Sequence, residues 1–217
     1  EFPSMNADSL RALKKAIDGG FRDFTRSYGD SIEYAFEPVK FFLIESERFL
    51  STTPWPIIMG LIALIAWIAS REIKIVAGTV ITLFLIGYFD MWDDTMKTVS
   101  MTFVCTVLSI VIGIPVGIAM SRSDRLQSIV TPILDVMQTM PSFVYLIPVV
   151  MLLGIGKVPG LLAVVIYAIP PIIRLTNLGI RLVDRDVLEA ADAYGSSSWQ
   201  RLRNVQMPLA LPTIMAG

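Results

Sequence analysis

The chain has 217 residues, of which 54% are hydrophobic and only 17% are charged. A soluble domain carries about 25% charged residues, so this composition is typical of an integral membrane protein. The formal net charge of −1 argues against nucleic acid as a partner, and the absence of histidine together with a single cysteine excludes a zinc site or a disulfide framework within the chain.

Residues 1–54 are predicted to form an amphipathic, extracytoplasmic tail of several helices. A helix over residues 9–17 should end at Gly19-Gly20, and Pro38 should interrupt a later helix. Between these breaks, apolar residues at helical spacing form a stripe: Phe21, Phe24, Tyr28 and Ile32. The stripe fits either a helix lying in the membrane interface or a small packed helical cap, and both alternatives remain open.

Five apolar runs follow the tail, at residues 55–70, 75–89, 95–121, 128–154 and 158–180. A membrane-spanning helix needs about 20 residues, so the last three runs are predicted to be spans. The first two are shorter and a charged tetrapeptide joins them, which predicts a tight two-span hairpin within residues 55–94. A sixth run begins at Met207 and stops at Gly217 inside an element, so we expect the sequence to be a fragment.

Several residues inside these runs predict local features. Gly113 and Gly117 predict close packing of two helices, with a hinge at Pro115 as the alternative. Cys105 lies in an apolar run and is expected to be a small buried hydrophobic residue. Four prolines are expected to break two of the spans: Pro141, Pro148, Pro170 and Pro171.

The distribution of lysine and arginine in the short loops predicts the orientation in the membrane. Basic residues in the loops at 71–74, 122–125 and 181–203 alternate with the loops at 90–97 and 154–160. The basic loops are therefore predicted to be cytoplasmic, which leaves the N-terminal tail outside. Two basic residues of the tail count against this orientation: Lys40 and Arg48.

A polar segment, EAADAYGSSSWQRLRNVQMP at residues 189–208, separates two apolar runs. Asp186 is predicted to cap a first helix, and Glu189 lies three residues later, at the spacing of a capping box. Gly195 should end this helix because glycine tolerates the left-handed conformation of that position. Ala190 and Ala191 leave one side of the helix nearly flat, so that another surface can approach it.

A second short helix is predicted after the glycine. Ser197 and Gln200 repeat the capping box, Trp199 and Leu202 give the helix an apolar edge, and Pro208 should end it. Two helices of this length are not stable alone. The alternatives are an ordinary cytoplasmic loop and a pair of helices that packs on another protein.

The spacing of these residues resembles the EAA loop of ATP-binding cassette importer permeases. Glu189-Ala190-Ala191 is followed after three residues by Gly195, and after nine more by Val205-x-Met207-Pro208, where the family has I-x-L-P. In that family the loop inserts into a cleft on a separate ATPase subunit. The resemblance therefore implies that residues 184–208 are a cytoplasmic coupling loop whose docking residues are Glu189, Ala190, Ala191, Gly195, Trp199 and Pro208.

Residues 128–180 extend the resemblance to a narrower group. The stretches LDVMQTMPSFVYLIPVVMLLGIGKVPG and IPPIIRLTNLGI are similar to the permeases of glycine betaine/proline betaine (ProU-type) osmoprotectant importers. The resemblance implies an all-α integral membrane protein with a type I importer permease (MetI-like) core over residues 95–217, and two further spans beyond Gly217. It also implies a bacterial inner-membrane location and a quaternary-ammonium osmolyte as solute.

The same resemblance implies a set of partners. They are an ATPase subunit that carries ATP and Mg, a second permease copy in a homodimer, an extracytoplasmic substrate-binding protein and membrane lipid. The chain itself is then no enzyme and binds no cofactor. Residues 154–160, GIGKVPG, agree with this, because Val158 and Met151 stand where a phosphate-binding loop needs Ser or Thr and Gly. This heptapeptide is predicted to be an outer turn.

Polar and charged residues inside the spans point to a solute path. Asp135, Gln138 and Arg174 lie within apolar runs, where ionisable groups face a partner or a wet cavity. Asp135 and Arg174 lie at equal distances from the predicted cytoplasmic loops, so they can pair, either as a gate or as a static ion pair. Three aromatic residues offer π faces to a quaternary ammonium group or serve as packing anchors: Phe143, Tyr145 and Tyr167.

A secondary transporter or channel is the alternative class of function. Such a protein would carry coupling charges at the middle of the membrane and would need no cytoplasmic docking helices. The polar segment at residues 189–208 and the scarcity of charge inside the spans favour the importer.

Overall fold

The computed structural model describes residues 6–217, with the side chains at positions 7, 21, 24 and 28–33 excepted. The described residues form ten α-helices and one π-helical turn and contain no strand, so the predicted all-α fold is confirmed. The helices are α1 (Ala7–Thr52), α2 (Trp55–Ser70), α3 (Ile73–Tyr88), α4 (Trp92–Arg122), α5 (Asp124–Thr139), α6 (Ser142–Leu153), α7 (Lys157–Arg181), α8 (Arg185–Ala193), α9 (Ser198–Arg201) and α10 (Met207–Ile214).

The N-terminal tail is one helix of 46 residues, so the predicted breaks are wrong. Gly19-Gly20 and Pro38 all lie inside α1. A glycine costs a helix only about 1 kcal/mol relative to alanine, which a long helix tolerates. A proline removes one backbone hydrogen bond, and the packing of the residues that follow Pro38 offsets the loss. The side chains of the predicted stripe, Phe21, Phe24, Tyr28 and Ile32, lie outside the described residues.

The last third of α1 packs on the core of the molecule. Leu43 is only 2% exposed and joins a cluster with residues of α4 and α7: Val104, Cys105, Leu161 and Val165. The hydroxyl of Ser100 donates a hydrogen bond to the Leu43 carbonyl (3.4 Å). These contacts favour the packed alternative for the end of the tail, and they confirm that Cys105 is a buried apolar residue.

Helices α2 and α3 form the predicted hairpin. They pack against each other through a two-residue connection in which Arg71 adopts a left-handed conformation (φ 54°). Each helix has 16 residues, about 24 Å at 1.5 Å per residue, which is shorter than the hydrocarbon core of about 30 Å. Tyr34–Thr52 of α1 meets α2 at an angle of 104°.

Helices α4 and α7 form the centre of the molecule and run parallel to each other. A Cβ placed on Gly113 would lie 2.8 Å from Ile172 Cγ2, and one on Gly117 would lie 2.5 Å from Thr176 Cβ. The predicted close packing at these glycines is therefore confirmed. Helix α4 continues through Pro115 without a break.

Prolines break one apolar run and not the other. Helices α5 and α6 meet at 92° across Met140-Pro141, because a residue that precedes proline is driven out of the helical conformation. The breaks predicted at Pro148, Pro170 and Pro171 are wrong, since α6 and α7 run through them. Pro170 is buried and its neighbours Ile172 and Ile173 are buried as well, so packing offsets the lost hydrogen bonds of α7.

Among the described residues, α4 and α7 are long and apolar enough to cross a membrane as single helices. The number rises to four if each bent pair, Tyr34–Thr52 with α2 and α5 with α6, counts as one span. Helix α3 is apolar but shorter. The five-span topology stays a prediction.

Candidate coupling segment and solute path

The first helix of the polar segment begins two residues earlier than predicted. Asp184, not Asp186, is the N-cap, and its side chain accepts a hydrogen bond from the Asp186 N–H (3.0 Å). The buried Val183 holds the chain against the core just before this cap, which sets the point where α8 begins. Glu189 therefore does not complete a capping box and lies exposed in the middle of α8.

Gly195 ends the helix as predicted. Its φ is +77°, and the N–H groups of Gly195 and Ser196 donate to the carbonyls of Asp192 (2.9 Å) and Ala191 (3.1 Å). This pair of hydrogen bonds is the Schellman motif, which closes a helix around a left-handed residue. A Cβ on Gly195 would meet no atom within 4 Å, so the backbone conformation alone requires glycine here.

The second helix begins with the predicted capping box but does not end at Pro208. The Gln200 N–H donates to Ser197 Oγ (3.3 Å), and the Ser197 N–H donates to Gln200 Oε1 (2.8 Å). After Arg201 the chain enters a π-helical turn, Leu202–Gln206, and continues directly into α10. Pro208 has no N–H to donate, and the wider turn before it accommodates its ring without ending the helix.

Two contacts hold this segment against the core, and a third joins its two helices. Leu202 is 2% exposed and packs in a cluster with Ile180, Ala210 and Ile214. Arg201 Nη1 pairs with Asp192 Oδ2 (2.6 Å) and so ties α9 to α8. Arg122 Nη2 donates to the Ser198 carbonyl (3.4 Å) and ties the segment to the end of α4. The predicted apolar edge of Trp199 and Leu202 is therefore divided, because Leu202 packs into the molecule's own core and Trp199 does not.

The remaining surface of the segment points away from the core. Tyr194 is 92% exposed and Trp199 is 64% exposed, and Glu189, Ala190 and Pro208 are exposed as well. Ala191 is half-buried. Sequence reasoning missed Tyr194, although an aromatic residue directly before the helix-ending glycine was a usable signal. The segment thus presents two aromatic side chains on a pair of capped polar helices.

Arg181 joins three helices next to the segment. Its Nη2 donates to the Met120 carbonyl of α4 (3.1 Å) and to Asp124 Oδ1 of α5 (2.7 Å). Its Nε donates to Asn177 Oδ1 within α7 (3.1 Å). The sequence indicated Arg181 only as a loop charge, because neither acceptor on the other helices is near it along the chain.

The structure brings Asp135 and Arg174 together as an ion pair between α5 and α7. Gln138 lies one helical turn beyond Asp135 and is exposed. The Tyr145 hydroxyl donates to the Met137 carbonyl, so that residue joins α6 to the end of α5. Phe143 and Tyr167 line a separate groove of about 500 Å³ whose lining includes neither charge of the pair. The predicted path residues therefore fall into two groups.

The GIGKVPG stretch lies at the opposite end of α7 from the polar segment, and only its first three residues form the predicted turn, since Lys157 already begins α7. Gly154 has φ +78°, Ile155 is 98% exposed, and Lys157 Nζ pairs with the Glu47 carboxylate of α1 (2.6 Å). The end of the N-terminal tail and this turn therefore share one end of the helix bundle. The segment at residues 184–208 occupies the other end.

Residues 109–217, half of the chain, match the family described as the binding-protein-dependent transport system inner membrane component. The chain belongs to this family. The resemblance to importer permeases and the predicted fold of a type I importer permease are thereby confirmed, and the matched range contains the whole coupling segment.

Three relatives show which permeases of the family the chain is similar to. It is 46% identical over 180 residues, 83% of the chain, to the glycine betaine/proline betaine transport system permease protein ProW of Escherichia coli. It is 46% identical over 76% of its length to the glycine betaine/carnitine transport permease protein GbuB of Listeria monocytogenes. It is 48% identical over 71% of its length to the glycine betaine transport system permease protein OpuAB of Bacillus subtilis.

The matches cover only part of each relative. They span 51% of ProW, 59% of GbuB and 54% of OpuAB. The chain therefore spans about half the length of the permeases that it matches.

Proposed function

We propose that this permease forms the translocation path of an ATP-driven importer for glycine betaine, proline betaine or a related quaternary-ammonium osmolyte. The names of the three relatives support this solute class. The observation that carries the mechanism is the coupling segment, a rigid pair of short helices that is fixed to the core on one side and exposes aromatic residues on the other. A passive loop needs neither feature.

The exposed side of the segment is the proposed docking surface for an ATPase subunit. Glu189, Ala190 and Ala191 lie on its first helix, α8, and Trp199 projects from the second. Gly195 sets the angle between the two helices, and Pro208 lies where the second helix joins α10. ATP and Mg belong to the ATPase, and the permease itself carries out no covalent chemistry.

A movement of the docked segment reaches the solute path through continuous elements. Helix α9, the π-helical turn and α10 follow one another without a break, and Leu202 packs on Ile180 of α7. Arg174, which pairs with Asp135, lies on the same helix α7. When ATP binding closes the two ATPase subunits, the segment is displaced and α7 shifts between an inward-facing and an outward-facing arrangement. ATP bound to the ATPase subunit thus shifts the equilibrium between these two arrangements of the permease.

The proposed setting is the bacterial inner membrane, with the coupling segment in the cytoplasm and the N-terminal tail outside. The Glu47–Lys157 pair supports this, because it holds the end of the tail at the bundle end opposite the segment. A second permease copy completes the path. An extracytoplasmic binding protein delivers the solute.

Uptake of radiolabelled glycine betaine into membrane vesicles tests this function. The vesicles contain the permease with its ATPase and enclose ATP, and the binding protein is supplied outside. We expect uptake that requires ATP and continues after a protonophore has collapsed the proton gradient. Uptake that needs no ATP and stops with the gradient would instead identify a secondary transporter.

A further inference from the structure

Helix α5 has three distinct faces. One face packs on Met120 and Ile173 and consists of Leu126, Val130, Leu134 and Met137. A second face is exposed and apolar and consists of Ile129, Ile133 and Val136. The third follows the spacing three, four, three and is polar throughout; we call it the polar stripe, and it consists of Ser128, Thr131, Asp135 and Gln138.

The polar stripe is exposed and charged mainly at its far end, since Ser128 and Thr131 donate their hydroxyls to the carbonyls of Asp124 (2.9 Å) and Gln127 (2.7 Å) within α5. Asp135 and Arg174 have 57% and 37% of their side-chain surface exposed, although both lie in segments that are apolar around them. Charged side chains that face lipid are strongly disfavoured, so such residues face a cavity or one another. Asp135 lies ten residues beyond Arg125, about 15 Å along the helix from the end that carries the coupling segment. The exposed end of the stripe, Asp135 and Gln138, therefore faces water or a polar partner and not lipid.

The ion pair leaves part of the arginine without a partner. Arg174 contacts Asp135 through Nη2 only. Its Nε is buried, and the Nε–H donates to no acceptor among the described residues. A guanidinium group binds a carboxylate best through two parallel N–H donors, so this arginine can bind a carboxylate better than it does in the pair.

We propose that Asp135 and Arg174 form a binding site for a zwitterion, in which the solute takes the place of the ion pair. The solute's carboxylate replaces Asp135 on Arg174, and its quaternary ammonium group replaces Arg174 beside Asp135. Every charge has a partner both before and after the exchange. A solute with only one charge would leave one protein charge without a partner. The site therefore selects zwitterions over simple cations and anions.

The inference deepens the proposed function and rests on it. The Tyr145 ring, which its hydroxyl fixes at the end of α5, lies close along the chain to Gln138 and can supply a π face to the ammonium group. A static ion pair would need neither the unpartnered Arg174 Nε nor the exposed amide of Gln138 one turn beyond Asp135. Two experiments separate the zwitterion site from a static pair.

The first experiment replaces the pair by neutral polar residues. In Asp135→Asn combined with Arg174→Gln, both positions keep hydrogen-bonding side chains but carry no charge. We expect ATP-driven glycine betaine uptake to fall by about tenfold or more, with unchanged amounts of permease and bound ATPase in the membrane. The matched control is Glu47→Gln combined with Lys157→Gln, which neutralises the ion pair at the other end of α7 and should leave uptake within about twofold.

The second experiment needs no change to the pair. Gln138→Cys places a thiol on the polar stripe, while the native Cys105 is buried. A trimethylammonium-bearing thiol reagent should label this cysteine in membranes, and saturating glycine betaine should suppress the labelling. Ile133→Cys, on the exposed apolar face of the same helix, should not react. This measurement tests the zwitterion site even if the neutral double variant does not reach the membrane.

The outcomes distinguish this inference from the proposed function. If the unmodified protein imports no glycine betaine with ATP, the proposed function fails. If the unmodified protein imports glycine betaine with ATP and the neutral double variant does so at the same rate, the proposed zwitterion site is wrong. The proposed importer function is then unaffected. If glycine betaine does not slow the labelling of Gln138→Cys, the proposed zwitterion site is likewise wrong.

Discussion

At Gly117 the backbone of α4 lies directly against α7. A Cβ there would lie 2.5 Å from Thr176 Cβ and 2.8 Å from the Ile173 carbonyl oxygen, and the backbone carbonyl cannot move without shifting its helix. We expect Gly117→Ala to lower the free energy of unfolding by about 1–3 kcal/mol, the range for overpacked sites. Thermal unfolding of the purified permease in detergent measures it.

Gly60→Ala is the control for this substitution. Gly60 lies in α2, and a Cβ there would meet no atom within 4 Å. In an open helical position, alanine should be neutral or stabilise the protein by about 0.4–1 kcal/mol. Equal effects at the two glycines would show that α4 and α7 do not approach each other as described.

Arg181 makes a second prediction at the residue scale. Its guanidinium group donates to Met120, Asp124 and Asn177, and so links three helices. Arg181→Gln should lower the free energy of unfolding by about 1–3 kcal/mol, because hydrogen bonds to charged groups are lost and acceptors are left without a donor. Arg125→Gln removes an exposed charge near the same end of the bundle and is the control. If Arg181→Gln and Arg125→Gln lower the free energy of unfolding by similar amounts, Arg181 does not link the three helices as described.

At the scale of helices, the coupling segment is stabilised by tertiary contacts. Helix α8 has nine residues and α9 has four, lengths at which isolated helices do not persist in water. A Schellman motif, a capping box and the Arg201–Asp192 pair fix the two helices relative to each other. The buried Leu202 fixes both to α7. The segment can therefore transmit a displacement instead of absorbing it.

Local chemistry predicted part of these elements. The left-handed Gly195, the Ser197–Gln200 box and the close approach at Gly117 follow from backbone rules and short-range spacing, and the structure has all three. The contact of Asp135 with Arg174 followed from their equal depth in the membrane.

Long-range packing decided the features that the sequence missed. Two neighbouring aspartates can each cap a helix, and the buried Val183 selects Asp184. Pro170 stays helical because α7 is buried there, whereas Pro141 breaks the chain. The partners of Arg181 and Leu202 are far away along the sequence, so no local pattern shows them.

At the scale of the whole molecule, the two ends of the bundle are predicted to face opposite sides of the membrane. Single cysteines at Ile155 and Tyr194 are suitable probes, because these residues are 98% and 92% exposed at opposite ends. In intact cells that express the permease without its ATPase, an impermeant thiol reagent should label Ile155→Cys, and it should reach Tyr194→Cys only after the membrane is opened. Labelling of both positions from the same side would refute the proposed orientation.

The purified permease is predicted to hydrolyse no ATP by itself. Lys157, the lysine that suggests a phosphate-binding loop, is instead paired with Glu47 of α1, and Val158 follows it in place of Ser or Thr. The measurement is phosphate release by the permease before and after the ATPase subunit is added. Hydrolysis that persists when every other polypeptide has been removed would place a nucleotide site on this chain.

The coupling role of residues 184–208 is the central claim, and Gly195→Val tests it most directly. Valine in the left-handed conformation that Gly195 adopts costs on the order of 1–2 kcal/mol, and the chain escapes the strain by turning the second helix away from its docking position. The membrane helices should remain folded, because a Cβ at Gly195 would meet no atom within 4 Å. Gly78→Val, in an open position of α3, is the control.

The measurement is ATP-driven glycine betaine uptake together with co-purification of the ATPase, both from one membrane preparation. We predict that Gly195→Val reaches the membrane in normal amount, loses uptake and retains less ATPase, whereas Gly78→Val keeps both. Uptake by Gly195→Val at the unmodified rate would contradict the coupling role and reduce the segment to an ordinary loop.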